Sequence, residues 1–158
     1  MSEGVVRHIP VVNRLAKLIH IPGGKRLSEA IADAQANLGA IKPDCIEAID
    51  EALAEVVLLT KQPGGPDAST LARLYDLANH INGTAGHFGL EDMGKAAYSL
   101  CDLIDAAQDS GGAERTAVMV HVESLALLRH PEGLGEVGRK AVLDGLAKVV
   151  SHARGKRA

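Results

Sequence analysis

With 158 residues, 46% of them hydrophobic, the chain suits one domain with a real core and does not have the profile of a disordered polypeptide. Aromatic residues are 2% and the formal net charge is −3, which speaks against base-stacking single-strand nucleic-acid readers and gives no basic footprint. No apolar run reaches about 18 residues, so no membrane span is expected.

The two cysteines, Cys45 and Cys101, fall in helical patterns and read as small buried hydrophobes of a reducing compartment. The N-terminus lacks the continuous apolar stretch of a signal peptide. A bacterial-type cytoplasmic protein is expected, with no cofactor and no metal.

Residues 1–25 form an apolar arm with scattered basic residues, Arg7, Arg14, Lys17 and Lys25, and one acid, Glu3. Pro10 and Pro22 bracket a short amphipathic helix, Val11 to Ile21, expected to pack on the domain or on a partner chain. The few basic residues make a membrane-surface segment the weaker reading. Leu27, Ile31, Ala34, Leu38 and Ile41 then form a helical stripe expected to end near Gly39. Pro43 sits where a first helical turn tolerates it, and Ile46, Ile49, Leu53, Val56 and Val57 carry the next stripe to about Thr60.

The sequence Gln62 to Pro66 is a break, and Asp67 is a candidate N-cap. The following helix places Leu71, Leu74, Ala78, Ile81, Ala85 and Phe88 on one side and ends near Gly89. From Leu90 a further helix turns Met93, Ala97, Leu100, Ile104 and Ala107 inward, with Glu91 and Asp92 complementing the dipole of its first turn. After Gly111 and Gly112, Val118, Val122, Leu125 and Leu128 line a helix that stops at Pro131. A last helix, about Glu136 to Ala153, offers Val137, Ala141, Gly145 or Leu146, and Val149, before a basic tail at 155–158.

No stretch alternates as a strand would, so the expected class is all-α. Four helices, Pro43–Thr60, Asp67–His87, Leu90–Asp109 and Ala113–Arg129, are joined by short breaks, which favour antiparallel neighbours. An antiparallel up-and-down four-helix bundle follows, with the Leu27 helix and the last helix packed around it. The implied organisation is an arm at 1–25 and a single helical domain at 26–154.

The helix ending at Gly89 has an unusual outer face: Asp76, Asn79, His80, Gly83 and His87, with Gly86 nearby. A glycine inside a helix costs about 1 kcal/mol against alanine, so a need for close approach is suspected. At about 100° per residue, Asn79 and His80 lie on opposite flanks of this face, with Gly83 and Asp76 between them and His87 on the flank of His80.

The segment AxxINGTAGHFGL, followed by SLCDLID, resembles the histidine-containing phosphotransfer (HPt) domain of two-component phosphorelays. That family's helix reads His-x-(apolar)-Lys-Gly-x-Ala, then a Gly and a long helix with a leucine-rich seam. Ile81, Gly83, Ala85, Gly89 and Leu90 match, and Leu100–Cys101 with Leu103–Ile104 fits the seam. The resemblance covers roughly Pro43 to Arg129.

It implies a bundle that meets a response-regulator receiver domain or a sensor histidine kinase, and an exposed imidazole that takes a phosphoryl group from an aspartyl phosphate. The receiver supplies the metal ion and most of the transition-state stabilisation, so the HPt partner provides a positioned nucleophile. The Gly one turn on leaves room for the phosphate or the receiver, and the Lys attracts phosphoryl oxygens. Here Gly83 fills the first role. Asn79 stands where the family has its phosphorylated His, and Asn82 where it has the Lys. His80 is one residue out of register.

The expected function is therefore an HPt-like adaptor that docks receivers through Asp76, Asn79, His80, Asn82, Gly83, Gly86 and His87 without being phosphorylated. An active phosphocarrier using His80 is the alternative, although misplacement by about 1 Å can cost on the order of 100-fold. A structural or dimerisation bundle is the third. His80 and His87 lie two turns, roughly 10 Å, apart, too far for one metal ion. His121 reads as a satisfied core or boundary histidine, and Tyr75 and Tyr98 as bundle-edge residues. No P-loop, HExxH or nucleophile elbow appears, which argues against the usual enzyme classes and against a complete histidine kinase.

Overall fold

The computed structural model describes residues 23–62, 65–108 and 114–155. The expected helix Val11 to Ile21, the Gly111–Gly112 break and most of the basic tail lie outside them. The described residues are helical and include no strand. The helices are α1 (Leu27–Thr60), α2 (Ala68–Ala85), α3 (Glu91–Gln108), α4 (Arg115–Arg129) and α5 (Glu136–Gly155), with 3-10 turns at Gly86–Phe88 and Pro131–Gly133.

The chain divides into two compact units, Met1–Ala40 and Ile41–Ala158. In the first, the Glu29 carboxylate accepts the backbone N–H of Arg26 at 3.0 Å and Lys25 pairs with Asp33. Both contacts secure the start of α1, the former in the manner of a capping box.

The sequence pattern places a break between Gly39 and Pro43, but α1 runs through it as one helix with Pro43 inside. Proline removes one helical hydrogen bond and crowds the carbonyl four residues back. The helix nevertheless continues past Pro43 to Thr60.

In the second unit the core is made by Ile49, Ala52 and Val56 of α1, the apolar faces of α2, α3 and α4, and Leu146 and Val150 of α5. Met93, Ala97, Leu100 and Ile104 of α3 are fully buried, as their spacing requires. Helix α3 packs against α2, α4 and α5.

Two arginine forks tie α1 to the others. Arg73 of α2 donates to both carboxylate oxygens of Glu55 at 2.6 and 2.7 Å, and Arg129 of α4 to those of Asp50 at 2.6 and 2.9 Å. The fixed geometry of such pairs sets register more than it adds energy. The hydrogen-bonded Arg129 guanidinium holds the Asp50 carboxyl below its usual range.

On α5 the expected stripe holds at Leu146 and Val149 and fails before them. Val137 is 84% exposed, and Ala141 and Gly145 are exposed too, whereas Leu146 is buried and Val149 half-buried. The inward face runs through Val142, Leu143, Leu146, Val149, Val150 and Ala153. Arg139 donates to Asp92 at 3.0 Å and to the Leu134 carbonyl at 2.9 Å, and Arg154 pairs with Asp102 at 3.2 Å. Burial of that apolar face sets the orientation of the helix, and these contacts with α3 fit it.

His121 is fully buried. Its Nδ1 lies 2.8 Å from the Ala117 carbonyl, which can only accept, so Nδ1–H donates. Nε2 then accepts from the Ser99 hydroxyl at 3.0 Å, joining α4 to α3. Burial pushes the imidazole pKa below 6.5.

The unfolded chain therefore binds a proton at His121 that the native state refuses. Stability is whole above about pH 6.5 and declines as the pH falls below it, by at most about 1.4 kcal/mol per pH unit for one proton. Urea unfolding at stepped pH should show this decline, and His121→Gln should reduce it.

Candidate functional site

Helix α2 is started by Asp67, whose Oδ1 accepts the Thr70 N–H at 2.7 Å and the Ser69 hydroxyl at 2.9 Å. Leu71, Leu74, Leu77, Ala78, Ile81 and Ala85 are buried, which turns the other side of the helix to solvent. On that side Asp76, Asn79, His80, Gly83, Gly86 and His87 are all exposed and Asn82 is half-buried. The residues singled out from the sequence thus share one face, with His80 and Asn79 on its two flanks.

The end of the helix is built by glycine. Gly89 has φ 86° and ψ 18°, the left-handed region, and the Leu90 N–H reaches back to the Ala85 carbonyl at 3.0 Å. This is the hydrogen bond of a Schellman closure. Gly86 caps the α-helix with ordinary helical angles, φ −62° and ψ −31°, and so belongs to the 3-10 turn rather than to the helix interior that its spacing suggests.

Gly83 and Gly86 have no need of glycine within the fold. A Cβ added at either would meet no heavy atom within 4 Å. Gly94 of α3, which the sequence reading passed over, is different. It is buried, and its missing Cβ would lie 3.7 Å from the Asn82 carbonyl and 3.8 Å from Ala85 Cβ. It lies against the end of α2 at ordinary van der Waals distance.

Beside this contact lies a shallow depression of about 300 Å³, lined by Asn82, Gly86, Glu91, Gly94, Lys95 and Tyr98. His80 and His87 are not part of it. The depression adjoins the Asn79 flank. Lys95 brings an ammonium group to the depression that Asn82 also lines, and its Nζ donates to Asp92 at 2.9 Å. Lys95 and the Asp92 carboxyl hold each other at the start of α3, and with Arg139 they keep that carboxyl below its usual range. Tyr98 is 57% exposed, a surface residue on α3, whereas Tyr75 packs against the core. Sequence spacing could not show that Lys95 and Tyr98 adjoin the α2 face, because the juxtaposition crosses between helices.

Among the described residues no group of three or more His, Cys, Asp or Glu side chains could hold a metal ion, and no helix is long and apolar enough to cross a membrane. Cys101 is buried, its thiol pushed up to about 11 chiefly by desolvation. It is therefore protonated at neutral pH and a poor nucleophile. Comparison with protein-family models, curated proteins and solved structures gives no match.

The two kinds of glycine predict opposite effects in urea unfolding. Gly83→Ala, in open helical surroundings, should stabilise the protein by about 0.5–1 kcal/mol. Gly89→Ala should destabilise it by about 1 kcal/mol or more, because the left-handed conformation penalises a Cβ.

Proposed function

We propose that this protein is an HPt-like signalling component of a bacterial two-component phosphorelay, acting in the cytoplasm as an adaptor that docks receiver domains without carrying phosphate. In this reading α1 from Ile41 onward, α2, α3 and α4 form an antiparallel up-and-down four-helix bundle. The Arg73–Glu55 and Arg129–Asp50 forks and the packing of α3 against α2 and α4 support that arrangement. The docking face is Asp76, Asn79, His80, Asn82, Gly83, Gly86 and His87.

One observation carries the reading: Gly83 sits in the middle of an exposed helical face, at an energetic cost, with nothing inside the fold that a Cβ would touch. Such a face leaves room for an external partner that comes close. The resemblance of INGTAGHFGL to the HPt signature supplies the kind of partner, a receiver domain or the kinase that feeds it. An amide at position 79 cannot take a phosphoryl group as an imidazole does, and neutral Asn82 cannot draw in phosphoryl oxygens. Lys95, lining the same depression as Asn82, offers a cation from the neighbouring helix for an acidic partner surface instead.

The second reading, an active carrier using His80, has one observation in its favour: the imidazole is exposed on the same face as Gly83. The depression, however, lies on the other flank, so a receiver seated there does not present its aspartyl phosphate to His80.

Incubation with a phosphorylated receiver or an active sensor kinase distinguishes the two. Receiver binding without acid-labile phosphate on this protein is expected, with Gly83→Leu weakening binding by about tenfold or more. Label that appears on the wild type and vanishes in His80→Ala would establish the carrier. Asn79→His with Asn82→Lys should confer phosphorylation if the docking surface is that of an HPt domain.

A further inference from the structure

Two concavities adjoin across α3. Lys95 and Tyr98 line the depression beside the end of α2. The same two residues also line a second concavity, of about 370 Å³, between α3 and α5. Leu143, Ala147 and Val150 of α5 give this one an apolar lining, and Ser151 and the Arg154–Asp102 pair a polar one. Tyr98, 57% exposed, thus has a concavity on either side. A tyrosine so placed offers a partner a large amphipathic ring that costs little entropy to fix.

The second concavity is framed by packed helices. Helix α5 runs beside α3 in the same direction. Arg139 joins it to Asp92 near the start of both, and Arg154 to Asp102 further along. Leu146 and Val150 bury its inner side.

The α2 face alone is small for a docking site. From Asp76 to His87 it is about 18 Å long, and the outer half of a helix of that length and about 10 Å across offers roughly 300 Å². A stable complex of standard size covers about 800 Å² on each partner. A receiver seated on α2 therefore needs a neighbouring element as well. On the α3 side it meets two adjoining concavities and an exposed tyrosine between them.

We propose that the footprint of the receiver crosses α3 at Lys95 and Tyr98 and ends on α5, with Ala147 and Ser151 in contact with the partner. This inference rests on the receiver-docking reading and adds an element, α5, that lies beyond the four helices of the HPt-like bundle. It turns on shape, since the Lys95 and Arg154 cations in the second concavity are each paired with a carboxylate.

The test is a titration of the isotope-labelled full chain with isolated receiver domains, read by amide shifts and by affinity. Shifts at Ala147 and Ser151 should accompany those on α2. Ala147→Arg and Ala147→Glu should each weaken binding by about tenfold, because bulk of either charge fills the concavity. Ala141→Arg and Ala141→Glu, at an exposed position of α5 outside the concavity, should leave binding unchanged. Far-UV circular dichroism should stay helical in all four variants, since Ala141 and Ala147 are both exposed.

Binding that shifts the α2 face but leaves α5 unshifted and is indifferent to both Ala147 variants overturns the inference while the docking reading stands. So does a footprint that spreads instead to Arg73 and Leu58 on the α1 side. An effect of one Ala147 variant alone would mark charge rather than shape and overturns it too. Absence of any receiver binding overturns the docking reading and this inference together.

Discussion

The buried seam between α2 and α3 decides which side of α2 meets solvent, and the candidate site depends on it. Leu71, Leu74, Leu77 and Ile81 of α2 are buried, and burying each contributes roughly 1.5–3 kcal/mol. That total far exceeds the loss of about 1 kcal/mol that Gly83 imposes on the helix. The fold can therefore carry a glycine on its outer face without losing the helix. Gly94 lies against the end of α2, near the carbonyl of Asn82, and Gly89 turns the chain directly from one helix into the other. Gly89 shapes the joint between the helices, and Gly83 leaves the surface smooth.

Around that surface the groups are polar. In the proposed reading, the amides of Asn79 and Asn82 stand where a phosphocarrier has an imidazole and a cation. The buried histidine, His121, is committed to a neutral link between Ala117 and Ser99. The buried thiol of Cys101 is held in its protonated form by desolvation. The site itself presents the amides of Asn79 and Asn82, the exposed imidazoles of His80 and His87, the Asp76 carboxylate and one lysine on the neighbouring helix. In the proposed reading these groups serve recognition of a partner.

Much of this was legible in the sequence, because helical periodicity is a local property. The stripes of α2, α3 and α4, the Asp67 cap and the stop at Gly89 follow from spacing and residue type alone. The continuity of α1 through Pro43 was not legible, since a proline shortly after a glycine reads as a helix boundary. The facing of α5 was also hidden. Its inward residues Val142 and Leu143 meet the core only through the packing of α5 on α3, and the pairs of Arg139 with Asp92 and of Arg154 with Asp102 cross between the same two helices. For the same reason Lys95 and Tyr98 were not seen as neighbours of the α2 face. Such contacts between helices leave no local trace in the sequence.

The central claim is that the outer face of α2, with its Asn79 flank and the adjoining depression, is where a receiver domain binds. Titration of isotope-labelled protein with an unlabelled receiver, followed by amide chemical shifts, tests it most directly. Perturbations should cluster at Asp76, Asn79, Asn82, Gly83 and Gly86 and extend to Lys95 and Tyr98 on α3. Shifts confined to other surfaces, or no shifts with any receiver able to bind an HPt domain, would contradict the account.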